Sequence, residues 1–226
     1  MSKARQRKDA LFEAIALMGK GFASPRRLEL LDLLAQGPRT VDQLARASGQ
    51  SNANTSQHLQ GLHVAGMVAR RREGTSVRYA LAGEDALRLW LALRDAAAAR
   101  LAEVERASLE YLGEDVERIG HDELIGRLRR GEVVLVDVRP ADEYAAGHIE
   151  GAWSVPLEEL QQKLGELPAD RDIVAYCRGP LCAYAHEAVR QLRAAGRSAR
   201  RLEEGWPEWD LAERKTKTKS TKEVAA

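Results

Sequence analysis

Residues 174–189, VAYCRGPLCAYAHEAV, constrain the fold of this chain more than any other stretch. Ile173-Val174-Ala175-Tyr176 reads as an apolar strand that ends at Cys177. A short loop, Arg178-Gly179-Pro180-Leu181-Cys182, then leads into an amphipathic helix. Short apolar strands alternating with helices build a parallel α/β sheet. The geometry also sets one sulfur beneath backbone N–H groups at a helix N-terminus. Such a place holds an anion on or beside the sulfur and is expected to lower the thiol pKa.

The rest of the second half keeps this alternation. Helix 121–130, strand 133–138, a short helix 140–146, strand 152–155, helix 157–164, strand 173–176, helix 182–195 and a short strand near 198–202 follow one another. The first half has another character. Leu11 to Met18 starts a helix, and Leu28, Leu30, Leu31, Leu33 and Leu34 mark a second, with Ser24 as cap and Pro25 in its first turn. Gly37-Pro38 ends it, and Thr40 caps a short helix through Ala47. Gly49 turns the chain into a helix from Ser51 or Asn52 to about Ala65, with Leu59, Leu62 and Val64 facing the core. Met67 to Leu81 reads as a hairpin about Glu73-Gly74-Thr75, and a long Ala/Leu-rich helix spans about 84–112. The expected fold class is therefore two domains: a mainly α winged helix-turn-helix, residues 1–112, and an α/β parallel sheet flanked by helices, residues 119–213. Residues 113–118 link them, and 214–226 are expected to form a disordered basic tail.

The chain of 226 residues has a formal net charge of +1, which hides an asymmetry. Residues 1–80 carry 13 Lys/Arg against 6 Asp/Glu, whereas residues 113–213 carry 13 against 21. The basic half suits a polyanion; the acidic half argues against nucleic acid touching it. No apolar run approaches a membrane span or a secretory signal core, so a cytoplasmic protein with no membrane partner is expected. Two cysteines in such a chain point to chemistry rather than to a disulfide framework.

In the helix-turn-helix, Asn52, Asn54, Thr55, Ser56 and Gln57 project from the first turns of the second helix, where amides and hydroxyls suit base edges and phosphates. His58 contacts a phosphate or packs, and His63 reads as a helix-surface residue. Arg70, Arg71, Arg72 and Arg78 on the hairpin suit backbone phosphates or a minor groove. The run SQHLQGLHVAGMVARRREGTSVRYAL resembles the recognition helix and wing of ArsR/SmtB-type winged-helix repressors, over about residues 10–110. The resemblance implies double-stranded operator DNA as partner and a homodimer joined through helices near 9–20 and 84–112. Members that sense metals use cysteines before the recognition helix or acidic and histidine pairs in the last helix. TVDQLARASG has no cysteine and the last helix has no histidine, so no metal site and no cofactor are expected. The competing reading is a protein-binding helical module whose arginines form a solvated face.

LVDVRPADEYAAGHIEGAWSVP resembles the opening segment of rhodanese domains, with Asp137, Arg139, Glu143, Gly147, His148, Ile149, Gly151, Ala152 and Pro156 in the family's places. RRLEEGWPEWDL resembles the closing segment through Gly205 and Trp209. The resemblance spans about 118–212 and implies a sulfurtransferase fold in which Cys177 accepts sulfane sulfur as a persulfide. Loop N–H groups and the helix dipole would stabilise the thiolate and the terminal sulfur, and Arg178 would add positive charge. Asp137 and Arg139 either brace the loop, screen substrates or form a structural ion pair. Cys182 is either a small buried hydrophobe or a resolving thiol that attacks a persulfide on Cys177. Phosphate ester hydrolysis would want an arginine six positions after the cysteine, where Ala183 stands. Two cysteines without a histidine pair fall short of zinc.

The expected protein is thus a dimeric transcriptional regulator that takes sulfur from polysulfide, thiosulfate or a persulfide and couples its sulfur state to operator binding. The rivals are a sulfurtransferase that turns over, with the DNA domain as tether or independent regulator, and an inert rhodanese fold serving as a partner module.

Overall fold

In the computed structural model, the described residues are 2–113 and 116–224, with side chains to 215. Residues 114 and 115 of the expected linker lie outside them. The chain divides into two compact units, Met1–Ala99 and Arg100–Ala226.

The first unit holds α1 (Lys3–Phe22), α2 (Pro25–Leu34), β1 (Arg39–Thr40), α3 (Val41–Ser48), α4 (Asn52–Val64), β2 (Val68–Glu73), β3 (Ser76–Leu81) and most of α5 (Glu84–Arg100). Its local signals act as the sequence dictates. Thr40 and Gln43 form a reciprocal capping box at α3, Gly49 closes that helix in the left-handed conformation at φ 63°, and the Ser51 side chain accepts from the Asn54 N–H to start α4. The strands form an antiparallel sheet in the order β1-β3-β2, which is the wing. Leu30, Leu31, Leu44, Leu59, Leu62 and Met67 have no exposed surface and make the core beneath it.

The second unit holds α6 (Ala102–Leu112), β4 (Arg118–Ile119), α7 (His121–Arg129), β5 (Val133–Asp137), α8 (Ala141–Ala146), β6 (Trp153–Ser154), α9 (Leu160–Lys163), β7 (Asp172–Tyr176), α10 (Ala183–Ala194), β8 (Ala199–Leu202) and α11 (Trp206–Val224). All five strands run parallel in the order β4-β8-β7-β5-β6. One face of the sheet packs Val134, Val136, Ile173 and Ala175 against Ala188, Val189 and Leu192 of α10. The other packs Leu135, Val174 and Tyr176 with Leu124 of α7 and Trp209 of α11. After β5 the chain goes outward to β6 and then returns to the opposite side for β7. The crevice at the carboxyl ends of β5 and β7 is therefore a topological switch point, where open α/β sheets bind ligands. The register pairs Asp137 with Tyr176, so the two strand ends are level there.

Two expectations are corrected. The helix expected over 84–112 is broken at Leu101, which is extended at φ −113°, ψ 106°. The terminal segment expected to be disordered continues α11 to Val224; no Gly or Pro follows Pro207 to stop it.

Candidate active site and nucleic-acid interface

Cys177 leaves β7 at the switch point and is buried, while Cys182 is half-buried as the N-cap residue of α10. Both are free thiols. Cys177 Sγ lies 3.7 Å from the Gly179 carbonyl oxygen and 3.5 Å from that of Cys182. Carbonyl oxygens only accept, so these contacts require Cys177 to donate its S–H. The two side chains also interact, each shifting the acidity of the other. Backbone N–H groups of Gly179 and Ala185 are directed at Cys177; those of Arg178 and Tyr184 are directed at Cys182.

This arrangement corrects the expected acidity. Burial outweighs the loop N–H groups and pushes the Cys177 thiol well above its ordinary value. The lowered thiol is Cys182, held down first by the hydrogen bond from Cys177 and then by the surrounding N–H groups and the Arg178 charge.

The remaining predicted residues hold the loop from below. Asp137 and Arg139 have no exposed side-chain surface. Arg139 Nε and Nη2 grip both Asp137 carboxylate oxygens at 2.6–3.1 Å, and Nη2 also donates to the Gly147 carbonyl at 2.7 Å. Arg139 stacks its guanidinium 5.6 Å from the Tyr176 ring and 5.8 Å from the Trp206 ring. A side chain so enclosed cannot screen substrates, which removes that reading; both residues position the strand end that carries Cys177. Arg178 also differs from expectation. Its Nε and Nη2 donate to the Glu143 carboxylate at 2.6–3.1 Å, and Glu143 is fully buried, so the guanidinium is committed to a counter-ion.

Four residues of this site were not singled out for it by the sequence. Glu143 matches a family motif, but its pairing with Arg178 crosses 35 positions. Gly205 meets the loop so closely that a Cβ there would fall inside the backbone of Arg178 and Gly179, and the Trp206 N–H donates to the Cys177 carbonyl at 3.2 Å. Tyr111, at the end of α6, lies within electrostatic reach of Cys182, Tyr184, Arg178 and Cys177. Its helix is tied to α10 by Arg190, which donates to the Leu112 carbonyl at 3.0 Å.

On the first unit, α4 exposes Asn52, Asn54 and Gln57, with Ser56 and His58 half-exposed. Thr55 is a correction: it is fully buried, because it shares a face with Leu59 and Leu62 at helical spacing. Val64 is the reverse, 65% exposed and lining a groove of about 590 Å³ with Leu17, Arg27 and Gln60. His63 donates through Nδ1 to the Val68 carbonyl at 3.0 Å and joins α4 to the wing. On the wing, cross-strand pairing puts Arg71 beside Arg78 on one face and Arg70 and Arg72 on the other. Arg70, Arg71 and Arg72 are exposed. Arg78 is committed to Glu73 and the Pro38 carbonyl at 3.0 and 3.1 Å. Among the described residues no helix is long and apolar enough to cross a membrane.

Comparison with known proteins gives two family matches. Residues 24–70 match the bacterial regulatory protein, arsR family, and residues 120–212 match the rhodanese-like domain. The chain is 48% identical over 212 residues to the HTH-type transcriptional regulator Rv0324 of Mycobacterium tuberculosis, covering 94% of each chain. It is 36% identical over 83 residues to a sulfurtransferase of Allochromatium vinosum, covering 36% of this chain and 78% of that one. Among solved structures, the homodimeric winged helix-turn-helix DNA-binding domain Mb0332 of Mycobacterium bovis is 44% identical, covering 45% of this chain and 91% of that one, with a TM-score of 0.41.

Proposed function

The chain belongs to the ArsR-family HTH-type transcriptional regulators that carry a rhodanese-like domain, and on that premise we propose that it is a cytoplasmic homodimer whose operator affinity follows the sulfur state of Cys177. The observation that carries this reading is a cysteine seated at the switch point of a parallel sheet, between N–H groups of its own loop and of α10, in a chain that also presents a recognition helix and a basic wing. Asn52, Asn54, Ser56, Gln57 and His58 would read or position the double-stranded operator, with Arg70, Arg71 and Arg72 on its phosphates. The homodimer is supported by α1, which leaves Leu11, Phe12, Ile15 and Met18 exposed along one side.

The sulfur step follows from the thiol pair. The Cys177 sulfur attacks the terminal sulfur of a polysulfide chain; an S–S bond forms at Cys177 and the donor's terminal S–S bond breaks. The shortened polysulfide leaves with the electron pair, and the proton of Cys177 passes to Cys182. The test is operator affinity at fixed salt before and after polysulfide, with Cys177→Ser as control. An affinity change that disappears in Cys177→Ser is expected. Tight binding that ignores the donor would overturn the coupling.

The similarity to a sulfurtransferase favours a second reading, catalytic turnover. Thiocyanate released from thiosulfate and cyanide over many cycles would establish it; one equivalent of sulfur held per chain would oppose it.

A further inference from the structure

We propose that Cys182 is a second reacting residue of the sulfur site, which resolves a persulfide on Cys177 into a Cys177–Cys182 disulfide and releases the sulfane sulfur as sulfide. The inference rests on the reading of Cys177 as sulfur acceptor and adds to it a reductive activity toward sulfane sulfur.

Geometry carries the argument. The two thiols are free, and each shifts the acidity of the other. Only four residues separate them, and Cys177 Sγ already touches the Cys182 backbone at 3.5 Å. Cys182 is pinned as the N-cap of α10 and packs against the same core cluster as Cys177. Two groups held this way meet at a high effective concentration. The lowered Cys182 thiol supports the same assignment, since that sulfur can take the Cys177 proton while Cys177 attacks.

The balance closes. Cys177–S–S⁻ and Cys182–SH give Cys177–S–S–Cys182 and HS⁻. The Cys182 sulfur bonds to Cys177 Sγ, the bond from Sγ to the outer sulfur breaks, and the departing sulfur takes that electron pair and the Cys182 proton. Sulfane sulfur is reduced to sulfide while the two cysteines are oxidised. A low-molecular-weight thiol would return the disulfide to the starting pair.

The experiment treats the reduced full-length protein with one equivalent of polysulfide without oxygen, and follows intact mass, peptide cross-links and free sulfide. The wild type should end two hydrogens lighter than the reduced chain, cross-linked between Cys177 and Cys182, with sulfide released. Cys182→Ser should instead hold one added sulfur, removable by cyanide, with a lifetime on the order of a hundredfold longer. Serine is a favourable N-cap, so the helix start is kept, and the wild-type cross-link is read without any variant. A wild type that keeps the added sulfur as long as Cys182→Ser does, with no cross-link, would overturn the proposal and leave Cys177 as acceptor. If neither protein gains sulfur or cross-links, the acceptor reading fails as well.

Discussion

The arginines of the two units do opposite work. In the wing, Arg70, Arg71 and Arg72 stand in solvent, where a charge costs little and remains available to a polyanion. In the rhodanese-like unit, Arg139 and Arg178 are enclosed and neutralised by Asp137 and Glu143, and their gain is shape rather than charge. Each makes a forked grip on a carboxylate, Arg139 beside the end of β7 and Arg178 within the cysteine loop, which lysine could not reproduce. The same residue type is thus an exposed charge in one unit and a beam in the other. Burial decides which.

The contrast can be tested at its strongest point. Arg139→Ala would leave Asp137 buried without its counter-charge and should cost about 3–5 kcal/mol in chemical denaturation. A loss within the scatter of surface substitutions would mean that the pair carries no load. Next, Gly205→Ala forces a methyl into the loop backbone and should cost about 1–3 kcal/mol while slowing sulfur uptake at Cys177; uptake at the wild-type rate would detach the closing segment from the site. Arg71→Ala should leave stability within about 0.5 kcal/mol and flatten the salt dependence of DNA binding by about one charge. Arg78→Ala should change that slope less, since Arg78 is already engaged by Glu73. The smallest effect concerns a partly exposed pair. The Ser198 hydroxyl and the Arg127 guanidinium hold Asp172 below the ordinary carboxylate range. Its contribution, about 1 kcal/mol or less, is complete above the unfolded value near about 3.9 and is lost as pH falls through the lower folded value. Asp172→Asn should therefore differ from wild type in urea unfolding at pH 7, and the difference should shrink under strong acid.

Local chemistry made much of this legible. The Thr40–Gln43 box, the Gly74 turn and the strand–loop–helix run about Cys177 are each set by residues a few positions apart, and each appears where the sequence places it. What escaped depends on burial or on distance along the chain. Thr55 sits among polar neighbours, and only its spacing from Leu59 and Leu62 betrays that it turns inward. Leu101 interrupts a helix without the Gly or Pro that usually announces a break. Glu143 and Arg178 meet only because β5 and β7 are neighbours in the sheet. The order of the two thiols inverted the expectation because depth in the core, invisible in the motif, outweighed the loop's N–H groups.

The division of four backbone N–H groups between two sulfurs has a consequence for what the loop can hold. Two adjacent anions would repel one another in a dry setting, and each would have only half of the donors. The loop is therefore suited to a single negative charge, and any anion that enters it competes with the sulfurs' own for the same donors.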